Sequence, residues 1–339
     1  MGEGVKNKTD ITNRDGRLLD IRNLRVWYNT YRGYAKVVDG VNLYLNRGER
    51  IGLVGESGCG KTTVMKTVLQ VLDKSRIHVP EDSEIIFNGK NILEMKYNHL
   101  QTMRRKKIAM ISQEPSAALN PVFTVGEQIY DIITYSSGDT KTSKKHAFEM
   151  ACNAIKNVMI SDPERILNSY PHQLSGGMKQ RICIAMSLVT TRELLIADEP
   201  GTALDVTIQD QIHRLLRELT EGTQSSLIMI THSLGVAREL VDRIYVMYAG
   251  NIVEHSHTKH LFANPYHPYT RGLLDCVPRL FGGGLSEGIY GYIPDYINPN
   301  SGCRFYPRCP KAMDRCINEK PPTYEVSDGH TVACFLYDK

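Results

Sequence analysis

The sequence lacks long hydrophobic runs, a strong excess of either charge and a high cysteine content. No stretch approaches about 18 consecutive apolar residues, so we expect no transmembrane helix. The 41 Lys and Arg residues exceed the 37 Asp and Glu residues by a net charge of only +4, which argues against nucleic acid as a partner. Eight cysteines in 339 residues are too few for a disulfide scaffold. Because the polar start of the chain shows no signal-peptide pattern, we expect a reducing cytoplasm.

Short apolar runs alternate with helical patterns along most of the chain. The runs LLIAD at 194–198 and SLIMITH at 226–232 predict buried strands, and the pattern at 206–221 between them predicts a helix. Such alternation is typical of a mainly parallel α/β sheet. Residues 18–54 predict strands instead, and YVMYAGNIVEHS predicts a hairpin. A mainly helical pattern predicts a helical subdomain at about 115–190.

A glycine-rich segment follows the apolar strand pattern IGLVG and precedes an apolar helical pattern. It fits G-x-x-x-x-G-K-[ST], the pattern of a phosphate-binding loop, or P-loop. Small residues let backbone N–H groups surround phosphate oxygens at a helix N-terminus, while the lysine reaches the β/γ-phosphates and the hydroxyl reaches Mg²⁺. We therefore predict that ATP is bound by Gly55, Glu56, Ser57, Gly58, Cys59, Gly60, Lys61, Thr62 and Thr63.

Two acidic residues end the strand pattern LLIAD. Asp198 lies at the carboxyl end of the strand, where it can hold the Mg²⁺ shell, and Glu199 can orient or deprotonate an attacking water. An ordinary strand with a solvated acidic turn is the alternative, which is weak beside a P-loop. We therefore predict Asp198 in the nucleotide site and Glu199 as a catalytic residue.

A second glycine-containing segment, LSGGMKQR, precedes the helical pattern ICIAMSLV. Ser175 can cap that helix, and Gly176 and Gly177 expose backbone N–H groups at its positive end. From the residues alone, the segment is either a second anion site or a plain helix cap.

LSGGMKQR also resembles the signature of the ABC transporter ATPases, and the other motifs of that family follow in order. Gln113 resembles the Q-loop glutamine, Asp205 in Ala-Leu-Asp resembles the D-loop, and His232 resembles the switch histidine. The resemblance implies an α/β P-loop NTPase fold of the ABC type. That fold would comprise a β-rich N-terminal subdomain, a helical signature subdomain and a small cysteine-rich C-terminal domain.

The resemblance further implies a composite site, in which two ATPase domains meet head to tail. Each ATP would lie between the P-loop of one domain and the signature of the other, with Asp205 bridging the dimer. Gln113 and His232 would join Glu199 as catalytic residues, and Thr62 and Gln113 would contact Mg²⁺.

An aromatic residue stacks on adenine in this family. Spacing favours Tyr28, with Tyr34 as the second choice, and sheet packing is the alternative reading of Tyr28.

Three segments resemble the oligopeptide/dipeptide importer subfamily more narrowly: GESGCGKTT and residues 114–121 and 264–270. This resemblance implies an ATPase domain over 1–263 and a C-terminal domain over 264–339. It also implies a peripheral location on the cytoplasmic face of the membrane. The partners would be a second ABC ATPase subunit, as a homologous heterodimer partner, two transmembrane permease subunits and an extracytoplasmic solute-binding protein.

The implied function is ATP hydrolysis that drives peptide uptake, with segment 114–135 receiving a permease helix. An oligosaccharide importer stays open, because the ATPase does not touch the solute. A soluble ABC ATPase outside transport is less favoured, because neither a long heptad insertion nor a second ATPase copy is present.

Four cysteines crowd into the last 37 residues, at Cys303, Cys309, Cys316 and Cys334. Their spacing matches neither a zinc ribbon nor a ferredoxin run. A loop-rich tail with few apolar residues still suggests a metal staple. The subfamily resemblance implies a [4Fe–4S] cluster, with zinc as the runner-up and free or disulfide-bonded thiols as the third choice. We expect this cluster to be remote from the ATP site, because the cysteines follow the complete ATPase core.

Overall fold

The computed structural model describes residues 16–137, 143–201, 206–223, 225–276 and 288–338. Its strands are β1 Arg17–Thr30, β2 Gly33–Asn46, β3 Arg50–Val54, β4 Ile77–His78, β5 Glu84–Phe87, β6 Lys90–Asn91, β7 Ile108–Ile111, β8 Leu194–Asp198, β9 Ser226–Thr231, β10 Arg243–Tyr248, β11 Asn251–His257, β12 Tyr324–Ser327 and β13 His330–Val332. Its α-helices are α1 Lys61–Val68, α2 Tyr97–Lys106, α3 Pro115–Ala118, α4 Val125–Ser137, α5 Lys144–Asn157, α6 Pro163–Leu167, α7 Gly176–Leu188, α8 Val206–Thr223, α9 Leu234–Leu240, α10 Thr258–Ala263, α11 Pro268–Asp275 and α12 Arg315–Asn318.

The larger sheet has eight strands in the order β12-β13-β11-β10-β3-β9-β8-β7. The strands from β10 to β7 run parallel, and every residue of β8 and β9 is buried. Parallel strands covered on both faces require such continuous apolar runs. The predicted P-loop α/β core is thereby confirmed. The carboxyl ends of β3, β8 and β9 meet at one edge of the sheet, and parallel sheets bind their ligands at this edge.

The smaller sheet is antiparallel, in the order β2-β1-β5-β6 with β4 also paired to β1. Strands β1 and β2 form the β-rich N-terminal region that the sequence predicts. The predicted hairpin is the β10–β11 pair, whose turn places Ala249 at φ 42° and Gly250 at φ 85°. Both positive φ values are typical of the tight turns that match strand twist.

A group of helices between β7 and β8 forms the helical region predicted at about 115–190. Buried residues recur every fourth position on its two longer amphipathic helices, which gives each helix one apolar face. They are Val125, Ile129 and Ile133 on α4, and Ala147, Ala151 and Ile155 on α5.

The C-terminal tail packs against the ATPase core instead of forming a unit of its own. Strand β13 pairs with β11, opposing Glu254 and Val332, and β12 extends the same sheet. The ring of Phe305 lies 5.0 Å from that of Tyr248 and 5.4 Å from that of Tyr269. The predicted cysteine-rich C-terminal domain is therefore not supported. The sequence argument counted only the tail's own apolar residues, whereas the tail also packs on core residues such as Tyr248 and Tyr269.

No helix within the described ranges is both long enough and apolar enough to span a membrane. The predicted domain boundary after residue 263 stays a prediction; it falls where α10 ends.

Candidate functional site

The P-loop connects β3 to α1 and has little space for side chains. A Cβ at Gly55 would stand 2.1 Å from the carbonyl oxygen of Met247, so only glycine fits there. Gly58 and Gly60 adopt φ values of 80° and 107°, which glycine tolerates better than other residues. The loop is therefore both narrow and dependent on glycine.

Lys61 is 5% exposed and folds back over the P-loop. Its ammonium donates to the carbonyl oxygens of Gly55, at 2.7 Å, and Glu56, at 2.9 Å. Cys59 belongs to the loop and its side chain is buried, which raises the pKa of its thiol. The lysine is thus held at the loop, and Cys59 Sγ lies 2.9 Å from where a Cβ at Gly55 would stand.

Thr62 and Asp198 meet where α1 begins and β8 ends. The Thr62 hydroxyl donates to the Asp198 carboxylate at 2.9 Å. Burial raises the pKa of Asp198, although the hydrogen bond from Thr62 opposes this shift. A desolvated carboxylate of this kind is stabilised by a nearby cation. A hydroxyl and a carboxylate are also ligands that suit Mg²⁺, which completes its shell with water and phosphate oxygens.

Glu199 lies between the two other predicted catalytic residues. Its carboxylate accepts from Gln113 Nε2 at 3.2 Å, and its other oxygen lies 3.2 Å from His232 Nδ1. Its backbone is left-handed, with φ 45°, and its N–H donates to Ile230 on β9 at 3.0 Å. Residues that follow β7, β8 and β9 therefore meet at one carboxylate, and their catalytic roles stay a prediction.

The signature segment begins α7. The Ser175 hydroxyl accepts from the N–H of Met178 at 3.3 Å, so it caps the helix as predicted. Gly176 is exposed, and a Cβ there would find nothing within 4 Å, while Gly177 is half-buried. This helix end is open to a partner of the chain, while its predicted role in binding a partner's ATP stays a prediction.

Gln180, on the same helix, was not singled out by the sequence analysis. Its buried side-chain amide donates to the carbonyl oxygen of Pro200 at 2.6 Å. Because Pro200 follows Glu199 directly, this bond ties the signature helix to the loop that carries the predicted base. A glutamine inside a helical pattern gives no sequence signal for such a contact.

Tyr28 and Tyr34 occupy different surroundings. Tyr28 and Val37 both pack against the same cluster of buried apolar residues. Val37 Cγ1 lies 3.6 Å from where a Cβ at Gly60 would stand. The ring of Tyr34 instead lies 5.8 Å from Trp27 and 5.6 Å from His78. The packing of Tyr28 fits the alternative of sheet packing, and adenine contact by Tyr28, with Tyr34 as the second choice, stays a prediction. Asp205 lies outside the described residues.

The predicted [4Fe–4S] cluster, and zinc as its replacement, are wrong for this chain. Within the described ranges, no group of three or more His, Cys, Asp or Glu side chains could hold a metal ion. The eight cysteines, all of them among the described residues, are free. The tail is instead joined to the core by the pairing of β13 with β11 and by the ring contacts of Phe305.

The cysteine-bearing tail was expected to be remote from the ATP site, but it contacts the P-loop. Arg308, next to Cys309, forms two hydrogen bonds to the Glu56 carboxylate at 2.8 and 3.0 Å. The Tyr296 hydroxyl donates to the Gly58 carbonyl oxygen at 2.7 Å. Sequence position misled here, because the tail folds back over the core after α11.

Comparisons with known proteins agree with this geometry. Residues 38–202 match the family described as ABC transporter, and residues 253–316 match the family described as Oligopeptide/dipeptide transporter, C-terminal region. The chain is 43% identical to the dipeptide transport ATP-binding protein of Bacillus subtilis, covering 95% of this chain and 96% of that protein. It is 41% identical to the oligopeptide transport ATP-binding protein of Salmonella typhimurium, covering 94% and 93%.

A solved ATP-binding cassette is similar in fold. That structure, a dimeric post-hydrolysis state bound to ADP and Pi, has a TM-score of 0.64 and 25% sequence identity. The match covers 71% of this chain and 98% of that one.

Proposed function

The chain belongs to the ABC transporter family of ATP-binding proteins, and on that premise we propose that it is the ATP-hydrolysing subunit of a peptide importer. The observation that carries the proposal is the convergence of Gln113 and His232 on Glu199 beside the Thr62–Asp198 pair. The second matched family, named for oligopeptide and dipeptide transporters, supports peptides as the solute.

The P-loop and its flanking residues would bind ATP. Gly55, Gly58 and Gly60 keep the loop narrow enough for backbone N–H groups to approach phosphate oxygens. Lys61 would exchange its carbonyl partners for phosphate oxygens. Thr62, Asp198 and Gln113 would hold Mg²⁺, which supplies charge neutralisation of the phosphates when bound. Tyr28 would pack on the adenine ring.

Hydrolysis falls to Glu199. Its carboxylate is in place to take the proton from a water as that water attacks phosphorus. His232 and Gln113 hold the two carboxylate oxygens, which fixes the direction from which the water is activated. Gln180 holds the following residue, Pro200, and thereby limits movement of the base.

The exposed start of the signature helix α7 is available to a second ATPase subunit. A second ATPase subunit, homologous to this chain, would place its ATP on Ser175, Gly176 and Gly177, with Asp205 bridging the dimer. Val122 and Phe123 are 69% and 48% exposed within segment 114–135, and we assign this surface to a helix of a permease subunit. Two permeases would hold the chain at the cytoplasmic face of the membrane, and an extracytoplasmic solute-binding protein would deliver the solute.

Solute uptake tests the proposal. Cells that lack this chain should fail to take up a labelled dipeptide or pentapeptide, and the wild-type chain should restore uptake. Labelled oligosaccharides serve as the comparison, since an oligosaccharide importer is the second candidate for the same motifs. Loss of oligosaccharide uptake with normal peptide uptake would reject peptides as the solute.

A further inference from the structure

The C-terminal tail reaches the outer side of the P-loop through two segments. The first runs alongside β2, where the Lys36 N–H donates to the Tyr296 carbonyl oxygen at 2.8 Å and Ala35 pairs with Ile297. The second is a short 3₁₀ turn at Tyr306–Arg308. Both segments follow the complete set of ATPase motifs, and neither belongs to those motifs.

Arg308 forms a fork-like ion pair with Glu56 of the P-loop. Its two terminal nitrogens reach the two Glu56 oxygens at 2.8 and 3.0 Å, and its side chain is only 6% exposed. The guanidinium also donates to the carbonyl oxygens of Ile289 and Tyr290, each at 2.9 Å. A planar, partly desolvated pair of this kind fixes both position and orientation of the carboxylate.

Further contacts hold the same stretch of the loop. The Tyr296 hydroxyl donates to the Gly58 carbonyl oxygen at 2.7 Å, and burial raises the pKa of Tyr296 far above neutral, so the hydroxyl keeps its proton. The Glu56 N–H donates to the Tyr269 hydroxyl at 2.9 Å. Fixing a carbonyl also fixes the N–H on the other side of its planar peptide, which sets the direction of the loop amides.

Such support matters because the P-loop is intrinsically flexible. Its three glycines, Gly55, Gly58 and Gly60, have more backbone conformations available than other residues would. A loop that must be ordered when its ligand binds reduces affinity by the cost of that ordering. External contacts that order the loop beforehand remove that cost.

We propose that Arg308 and Tyr296 form a tail clamp that holds the P-loop in its nucleotide-binding shape through Glu56 and Gly58. Arg308 is a positioning residue, since it acts on the nucleotide through Glu56. This inference rests on the proposed function, because it assumes that the P-loop binds MgATP. The C-terminal tail thereby becomes part of the nucleotide site, and ATP affinity depends on how the tail is packed.

Calorimetric titration of the full-length chain with MgATP tests the clamp. Arg308→Ala should raise the Kd about tenfold, as expected if the loop is competent only about one-tenth of the time without the ion pair. Arg308→Lys keeps the charge but loses the fork, so its Kd should fall between those of wild type and Arg308→Ala. Tyr296→Phe removes a single hydroxyl and should raise the Kd about threefold.

Arg315→Ala is the matched control. Arg315 lies in the same tail but pairs with Asp338 and Glu319, neither of which belongs to the P-loop, so its loss should leave the Kd unchanged. The double variant Arg308→Ala with Glu56→Ala should bind no more weakly than Glu56→Ala alone, because Arg308 acts through Glu56.

The outcomes separate the clamp from the proposed function. If the wild-type chain binds MgATP and both Arg308→Ala and Tyr296→Phe bind it with the wild-type Kd, the clamp is overturned and the proposed function is not. A lowered melting temperature with an unchanged Kd would also overturn it, because it shows a merely structural role. A wild-type chain that binds no MgATP would overturn both the proposed function and the clamp. If Arg308→Ala does not fold, Tyr296→Phe and Arg308→Lys decide the matter.

Discussion

Glu199 combines an uncommon backbone conformation with a carboxylate that is contacted at both oxygens. A φ of 45° costs energy in any residue with a side chain, and here the N–H bond to Ile230 holds it. His232 and Gln113 each contact one carboxylate oxygen. Strain at a residue whose surroundings fix it so tightly is a feature of catalytic positions.

Glu199→Gln should keep ATP binding and lose turnover. The amide preserves size and one oxygen but cannot accept the proton of the attacking water, so hydrolysis should slow by roughly 10²–10⁴-fold. The rate of phosphate release by the assembled transporter measures turnover, and the Kd for MgATP measures binding. Turnover at the wild-type rate would show that Glu199 is not the base.

Gly55→Ala should abolish ATP binding through a steric clash. The added methyl would stand 2.1 Å from the Met247 carbonyl oxygen, so the loop or β10 must move. Gly235→Ala is the matched control, because its methyl would lie 3.8 Å from the nearest atom, Ser233 Oγ. That alanine lies in the first turn of α9, so it should change the free energy of unfolding by less than about 1 kcal/mol. Equal nucleotide affinity in the two variants would contradict the close approach at Gly55.

At the scale of elements, helix α11 depends on an uncharged histidine at its start. His267 is buried, and its Nδ1 accepts the Tyr269 N–H at 3.0 Å, which requires that nitrogen to be unprotonated. Burial lowers the pKa of His267 to about 4, while nearby Glu254 opposes that shift. The unfolded chain, with a pKa near 6.5, therefore binds the proton more readily than the folded one.

The free energy of unfolding should consequently fall as the pH drops from about 6.5 to about 4. His267→Asn can still cap α11 but cannot titrate, so this loss should shrink by about 3 kcal/mol. Urea unfolding of both proteins at pH 7.5, 6 and 4.5 measures the difference, with similar stabilities expected at pH 7.5. Parallel curves for the two proteins across that range would show that His267 does not cause the loss.

Elements whose patterns are local could be predicted from the sequence, and elements fixed by distant contacts could not. β8 and β9 are recognisable because both of their faces are buried, and the P-loop because phosphate binding demands small residues and a lysine. The contact of Arg308 with the P-loop could not be predicted from the sequence, because its partner Glu56 lies 252 positions earlier in the chain. The cysteine prediction required the four tail cysteines to form one metal site, and within the described residues no group of side chains could hold a metal ion.

At the scale of the whole molecule, the signature helix serves a site that this chain does not complete. Ser175→Arg should therefore leave MgATP binding by the isolated chain unchanged, because its own P-loop is intact. In the assembled transporter the bulky cation should block the partner's nucleotide from docking, and hydrolysis there should stop. Loss of ATP binding by the isolated variant would contradict a composite site.

The most direct test of the central claim measures peptide accumulation in sealed vesicles that contain the whole importer. With MgATP on the side of this chain and a labelled dipeptide with its binding protein on the other, the wild-type complex should concentrate the peptide. The complex with Glu199→Gln should bind ATP and concentrate none. Equal accumulation by both complexes would contradict the account, because uptake would then not depend on ATP hydrolysis by this chain.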